Sequence, residues 1–387
     1  MTDSRARFRE RVGGVIGVAP ESIFLFAKGR VALYAILRAY DIGPGDEVIL
    51  PAFTCVAVPN AILYTGATPI YVDIDPATLT IDPAAVDAAI GPRTRAIIAQ
   101  NTFGLSADLA TLTALGAGRD IPVIDDCTHG LGGSYHDRPN GSSTPASFFS
   151  TQWSKTISTG LGGFAVATDP RVAARLEAIE ADASPPSTRS IALLRTLVFG
   201  MQHGGHGRLF RMGRSTYRAL SRRGLVPSSS SQDELETATM PEGFLTGLSS
   251  WQAGYGADRV PQLSTEVARR RAIASRYSAW LRDRGRTVPA EPDRILHAFL
   301  RYPLRVADRG TFVAAAERAG VDLGDWFVSP IHPVVDRLER WGYRPGQAPH
   351  AERTCRGIVN LPIMPTLRDR EVDRVIGFLS DHIDRID

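Results

Sequence analysis

The residues best suited to chemistry are an amine, a carboxylate, an imidazole and a hydroxyl: Lys155, Asp126, His129 and Ser150. Lysine occurs only at positions 28 and 155, while arginine supplies the other 42 of the 44 basic residues. A chain that carries its positive charge on arginine has no electrostatic need of lysine. What an amine adds is the capacity to lose its proton when desolvated and to attack a carbonyl. A codon preference for arginine accounts for the bias and leaves the two exceptions to be explained.

Lys155 follows Ser150 by five residues in "FFSTQWSKTISTGLGG", and Asp126 precedes His129 by three in "VIDDCTHG". Gly29 and Arg30, after "FAK", open a helical pattern, and a helix start offers unpaired N–H groups to an anion. Singly, each feature has a plain structural reading. Asp126 can cap a helix, His129 can be a satisfied core histidine, Ser150 can sit in a turn, and "GLGG" can be a tight loop. Together they are the parts needed to hold pyridoxal 5'-phosphate (PLP): an amine for its aldehyde, a carboxylate for its ring nitrogen, and hydroxyl and N–H groups for its phosphate. Asp125 and Asp126 point to opposite faces if they lie on a strand, and the Asp-x-x-His spacing favours Asp126. The glycines at 160, 162 and 163 precede a strand and do not make a dinucleotide fingerprint.

Such groups must be held by something. From residue 29 to about 170, Val-, Ile- and Phe-rich runs alternate with helical patterns, which predicts a mostly parallel sheet covered by helices. The expected strands are "EVILPAF" (47–53), "TPIYVDI" (68–74), "TRAIIAQN" (94–101), "IPVIDD" (121–126), "ASFFST" (146–151) and "GFAVAT" (163–168). Asp126 and Ser150 then fall at carboxyl ends of strands, where open α/β sheets bind their ligands. "VALYAILRAY" (31–40) reads as a helix stopped by "GPG". Residues 248–285 read as a long helical region bent at Pro261, followed by a strand at 295–306, a helix at 309–320 and a last helix from about 367. The expected organisation is a large domain (1–182), a basic insertion or linker (183–247) and a small C-terminal α+β domain (248–387).

The insertion holds eight arginines and no acidic residue between Arg189 and Arg223. It reads as a solvated basic hairpin or dimer arm, or as a surface for an anionic partner such as a nucleotide sugar, a carrier-bound substrate or a membrane. The net charge of +3 is too small to argue for nucleic acid. No run reaches membrane-span length, the N-terminus lacks an apolar leader, and the odd, scattered Cys55, Cys127 and Cys355 give neither a disulfide framework nor zinc spacing. A cytoplasmic protein is expected.

At the quoted motifs the sequence resembles the DegT/DnrJ/StrS family of PLP-dependent sugar aminotransferases, of fold-type I. The likeness runs in order through "GPGDEVILPAFT", "GATPIYVDIDPATLTID", "VIDDCTHGLGG", "FFSTQWSKTISTGLGG" and "GIVNLPIMPTLRDREVDRVI". It implies that Lys155 is the lysine that bonds the cofactor and Asp126 the partner of the pyridine nitrogen. It implies further that His129 lies beside the ring, that Ser150, Gly29 and Arg30 form the phosphate site, and that His332 in "SPIHP" lies near the substrate. A homodimer, a glutamate donor and a keto-sugar acceptor are implied as well. The sequence departs from the family at Cys55, where a flat side chain usually covers the cofactor ring, at Leu161, where a glutamate is usual, and in the "KGR" phosphate loop. These departures keep two alternatives open: another PLP reaction, such as elimination, aldol-type or substitution chemistry, and a non-catalytic regulator on the same fold.

Overall fold

A computed structural model describes residues 3–203 and 232–387. The β-branched runs form one seven-stranded sheet in the order β1-β10-β9-β6-β5-β2-β4. Its members are β1 (Ile23–Phe26), β2 (Glu47–Pro51), β4 (Thr68–Val72), β5 (Thr94–Gln100), β6 (Val123–Asp126), β9 (Ala146–Ser150) and β10 (Gly163–Ala167). Between β2 and β4 the chain adds the short β3 (Thr54–Cys55), and between β6 and β9 the short β7 (Ser134–Tyr135) and β8 (Arg138–Pro139). Pairings from β4 through β9 are parallel, and only β10 is reversed, antiparallel to both β9 and β1. The reversal follows from the short 151–162 connection: too brief for a crossover helix, it returns the chain beside β9 and fixes Lys155 at the sheet edge where β6 and β9 end.

The expected strands of the large sheet all form, each one or two residues shorter than its apolar run. β1 was not anticipated from "IFLF", a four-residue run with neither alternation nor flanking turn pair. Its side chains, like those of β6 and β10, are buried throughout, because helices cover both faces. Helices Gly29–Ala39, Ala57–Thr65 and Pro170–Asp182 pack one face through Leu33, Ile36, Leu37, Ile62 and Leu176 against Leu50, Ile98 and Phe148. Helices Pro83–Ala89 and Leu109–Ala117 cover the other through Val86 and Leu112 against Ile49, Ile97 and Val123.

The C-terminal region builds its own core. The strands β12 (Tyr302–Arg305) and β14 (Ile358–Leu361) pair antiparallel. Against them lie helices Leu263–Arg282, Arg309–Arg318 and Asp369–Asp381, joined through Tyr277, Phe312 and Phe378. The expected long helix is two helices, Ser250–Ala257 and Leu263–Arg282, separated by a short turn at Val260–Gln262 around Pro261, whose missing N–H cannot continue the helical ladder. The first packs on helix Ser4–Ile16 instead of the C-terminal core, through Phe8, Val12, Ala253 and Ala257. The expected strand 295–306 is likewise divided, into β11 (Ile295–Leu296) and β12. Between them Phe299 takes a φ of 47° and the Ala298 N–H bonds the Gly104 carbonyl, so the chain turns toward the large sheet.

Residues 183–247 leave and return at one place: the Ser184 N–H bonds the Leu245 carbonyl and the Gly247 N–H bonds the Ser184 carbonyl. Most of the arginine-rich stretch lies outside the described residues. No helix among the described residues is long and apolar enough to cross a membrane.

Candidate active site

The carboxyl ends of β6 and β9 place the predicted groups around one point. Asp125 and Asp126 do alternate. Asp125 Oδ2 accepts from the Gly141 N–H at 3.0 Å on one face, while Asp126 turns to the other, where its Oδ1 accepts from the Thr128 N–H at 2.9 Å and where Lys155 lies close enough to act on its charge. Burial raises the Asp126 carboxyl above the usual carboxylate range, and the Thr128 bonds and the Lys155 charge work against that rise. The expected alternation is present, and it is Asp126 that shares a face with Lys155.

Lys155 is 9% exposed. Desolvation pushes its amine down to about 8, opposed by Cys55 and Asp126 and reinforced by the positive charge of Arg301. An amine in this state keeps a reactive neutral fraction near neutral pH. Its Nζ lies 4.8 Å from the centre of the Trp326 ring. His129 packs against the same indole, with centroids 4.8 Å apart, and against Phe327 in nearly parallel planes. The Phe103 N–H donates to its Nδ1, and burial, with Lys155 and Arg301 nearby, holds the imidazole well below its ordinary value and so neutral.

The anion cradle is built by close approach. A Cβ on Gly29 would lie 3.0 Å from the Phe149 carbonyl oxygen and 3.0 Å from Ser150 Cβ, and one on Gly163 would meet the Gly29 backbone at 2.3 Å. Only glycines let the start of helix Gly29–Ala39 reach the end of β9. That helix has no side-chain cap at Lys28. Two cations stand at its positive end, Lys28 and Arg30, and both reach Glu234, whose oxygens lie 3.5 Å from Lys28 Nζ and 2.6 Å from Arg30 Nη1. Two positive groups at a helix N-terminus repel unless an anion joins them. The sequence reading set Gly29 and Arg30 together in the phosphate site. In the structure the Arg30 side chain pairs with Glu234, while its backbone lies at the helix start.

The C-terminal region completes the site. β13 (Ile331–His332) pairs in parallel with β3, setting His332 beside Cys55. His332 is buried and pushed down to about 4 by desolvation; its Nδ1 accepts from the Val328 N–H, and its ring lies 5.7 Å from Trp326. Cys55 is partly exposed. Leu161 spends its carbonyl on Gln252 Nε2 and Thr159 Oγ1, tying the loop after Lys155 to helix Ser250–Ala257.

Several residues were not anticipated. Gln100 stands opposite Asp126 in the ladder and accepts from Thr54 Oγ1 at 2.7 Å. Trp326 was findable, six residues before His332 in "WFVSPIH". Arg270 and Arg301 were not, since nothing in sequence separates them from forty other arginines.

A sheet of this order with lysine and aspartate at its carboxyl edge defines a fold-type I transferase. The solved aminotransferase TlmJ from Streptoalloteichus hindustanus shares the fold, with a TM-score of 0.77 and 24% identity over 98% of this chain and 91% of that one. The chain belongs to the DegT/DnrJ/EryC1/StrS aminotransferase family, whose model matches residues 6–209 and 211–380. It is 28% identical over 357 residues to the spore coat polysaccharide biosynthesis protein SpsC of Bacillus subtilis, covering 90% of this chain and 82% of that protein. To the L-glutamine:scyllo-inosose aminotransferase of Streptomyces griseus it is 33% identical over 291 residues, 75% of this chain and 60% of that enzyme. The chain is accordingly an aminotransferase, as its motifs implied.

Proposed function

We propose that the site binds PLP and moves an amino group from glutamate or glutamine to the keto group of a sugar or cyclitol. The observation that carries this is the convergence of a desolvated lysine amine, a buried carboxylate and an uncapped helix start closed on Ser150 by Gly29 and Gly163. These residues fit the cofactor. Lys155 Nζ would bond its aldehyde, Asp126 its ring nitrogen, and Ser150 with the Gly29 and Arg30 N–H groups its phosphate. When bound, the cofactor supplies a carbonyl for the incoming amine and an electron sink for the carbon that loses a proton.

The chain's own groups do the rest. Lys155 Nζ would take the proton from the donor's α-carbon and, in the second half of the exchange, would deliver a proton to the acceptor carbon that receives the amino group. Asp126, its carboxylate oriented by Thr128, keeps the ring nitrogen protonated. His129, neutral and wedged among Phe103, Phe327 and Trp326, forms a rigid wall and holds no charge that would compete. His332 and Cys55 line the side reached by substrate.

The acceptor class rests on relatives. One is named for scyllo-inosose, and another, from Acidithiobacillus ferrooxidans and 28% identical over 351 residues, is a UDP-N-acetyl-3-dehydro-alpha-D-glucosamine 3-aminotransferase. A visible spectrum of the PLP-treated protein before and after L-glutamine or L-glutamate tests the reading. Loss of the band above 400 nm with release of the matching 2-oxo acid is expected, and Lys155→Ala should show neither. A band that neither donor changes, while a β- or γ-substituted amino acid loses its substituent, would favour the elimination or substitution alternative.

A further inference from the structure

Arg301 lies against the indole of Trp326, its guanidinium carbon 5.3 Å from the ring centre, on the same side chain that meets Lys155 Nζ at 4.8 Å. Among the described residues its side chain makes one hydrogen bond, Nη1 to the Leu300 carbonyl at 3.2 Å, and no carboxylate comes within ion-pair distance. Most of a planar, five-donor fork is therefore left open beside the reactive amine. The Arg301 N–H bonds the Phe103 carbonyl, so the backbone carrying the fork is tied to the large domain next to His129. A second guanidinium lies nearby: Arg270 is 7% exposed, its Nη1 lies 3.5 Å from Thr156 Oγ1, its Nη2 lies 4.0 Å from Glu266, and its buried Nε has no hydrogen-bond partner among the described residues.

Resting on the amino-transfer reading, we propose that Arg301 receives the α-carboxylate of the amino donor and thereby restricts the donor to α-amino acids. In such a donor the carboxylate is bonded to the carbon whose proton Lys155 removes, so it must come to rest within a few ångströms of Nζ. In a desolvated site that charge needs a paired partner. A guanidinium meets a carboxylate through two parallel hydrogen bonds, and lying on an aromatic ring fixes the plane in which it does so. Asp325 is the carboxylate whose charge reaches Arg301; it acts on His332 as well and stays beyond ion-pair distance of the guanidinium, so the fork is not closed by it. A nucleotide-linked acceptor would also bring an anion, but its diphosphate lies a sugar ring away from the reacting carbon, and a cyclitol acceptor carries none.

The test compares the PLP-loaded wild type with Arg301→Gln and Arg301→Lys, each checked for an unchanged circular dichroism spectrum. Loss of a charge-assisted pair should raise the donor concentration for half-conversion in the single half-reaction by about 10- to 100-fold in Arg301→Gln, and less in Arg301→Lys. The acceptor KM should change less than twofold. The wild type should prefer L-glutamine to its α-carboxamide by at least tenfold, and Arg301→Gln should lose that preference. Calorimetric titration with succinate, which does not react, should show binding that Arg301→Gln abolishes. A raised acceptor KM with an unchanged donor dependence would assign Arg301 to the acceptor's anion and overturn the proposal. Equal binding of succinate to wild type and variant would overturn it as well. Arg301-dependent succinate binding in a protein that no amino donor converts would support the carboxylate receptor while refuting amino transfer.

Discussion

Burying Lys155 has a cost that its removal should reveal. Its amine falls from 10.5 to about 8 in the folded protein. At about 1.4 kcal/mol for each pKa unit, the cofactor-free protein loses about 3 kcal/mol by holding this group charged. The Trp326 ring, 4.8 Å from Nζ, returns about 1 kcal/mol through its attraction for a cation. Lys155→Met keeps the length and apolar stem of the side chain and should therefore stabilise the cofactor-free protein by about 2 kcal/mol at pH 7, while abolishing turnover. The sign with pH follows from the lowered folded-state value. Below about pH 8 both folded and unfolded lysine are protonated and the whole penalty is present. From there to 10.5 the unfolded chain binds more protons than the folded one, so wild-type stability gains on the variant until the penalty is gone. Denaturant midpoints of both proteins, stripped of cofactor and measured from pH 6.5 to 10, provide the assay. Reading only the difference cancels the titration of every group that does not feel the Lys155 charge; Asp126 and His129 do feel it. A methionine variant less stable than wild type at pH 7, or a difference that does not shrink with rising pH, would refute the reasoning.

Two further outcomes follow from the phosphate cradle. Gly29→Ala places a methyl 3.0 Å from both the Phe149 carbonyl oxygen and Ser150 Cβ. The helix start must then back away from β9, and a cofactor affinity about tenfold weaker is expected by fluorescence titration, with unfolding changed by no more than about 1 kcal/mol since alanine favours the helix itself. Glu234→Gln removes the carboxylate shared by Arg30 and Lys28, a buried pair at 2.6 Å in the case of Arg30. A loss of about 3 kcal/mol in the cofactor-free protein is expected from denaturant curves, with inorganic phosphate restoring more of it in the variant than in wild type.

Much of this site was legible because its parts lie in local patterns. Strand and helix periods depend on neighbouring residues, so "IPVIDD" and "ASFFST" announced their own carboxyl ends, and the spacings Asp126 to His129 and Ser150 to Lys155 lie within single strand-end loops. The choice between Asp125 and Asp126 likewise used only local features, the twofold alternation of a strand and the Asp-x-x-His spacing. The family likeness then gave the parts their roles. The brief β1 and the division of 295–306 were harder to see, because hydrogen bonds from distant segments, Gly104 to Ala298 among them, decide where the backbone turns.

What the tertiary structure alone decided concerns side chains that meet from afar. Arg30 meets Glu234 only because the fold carries that carboxylate to the helix start across about two hundred residues, a pairing that no local pattern announces. Trp326 and Arg301 acquire a meaning only when β13 docks on β3 and the bend at Phe299 swings the C-terminal region onto the sheet edge. One arginine in a chain of forty-two carries no mark of its partners. The sequence alone determined which groups stand at the strand ends, since backbone geometry is periodic and local. Which charges are spent and which are left for a ligand was settled by packing, because desolvation and ion pairing depend on distance in space and not along the chain.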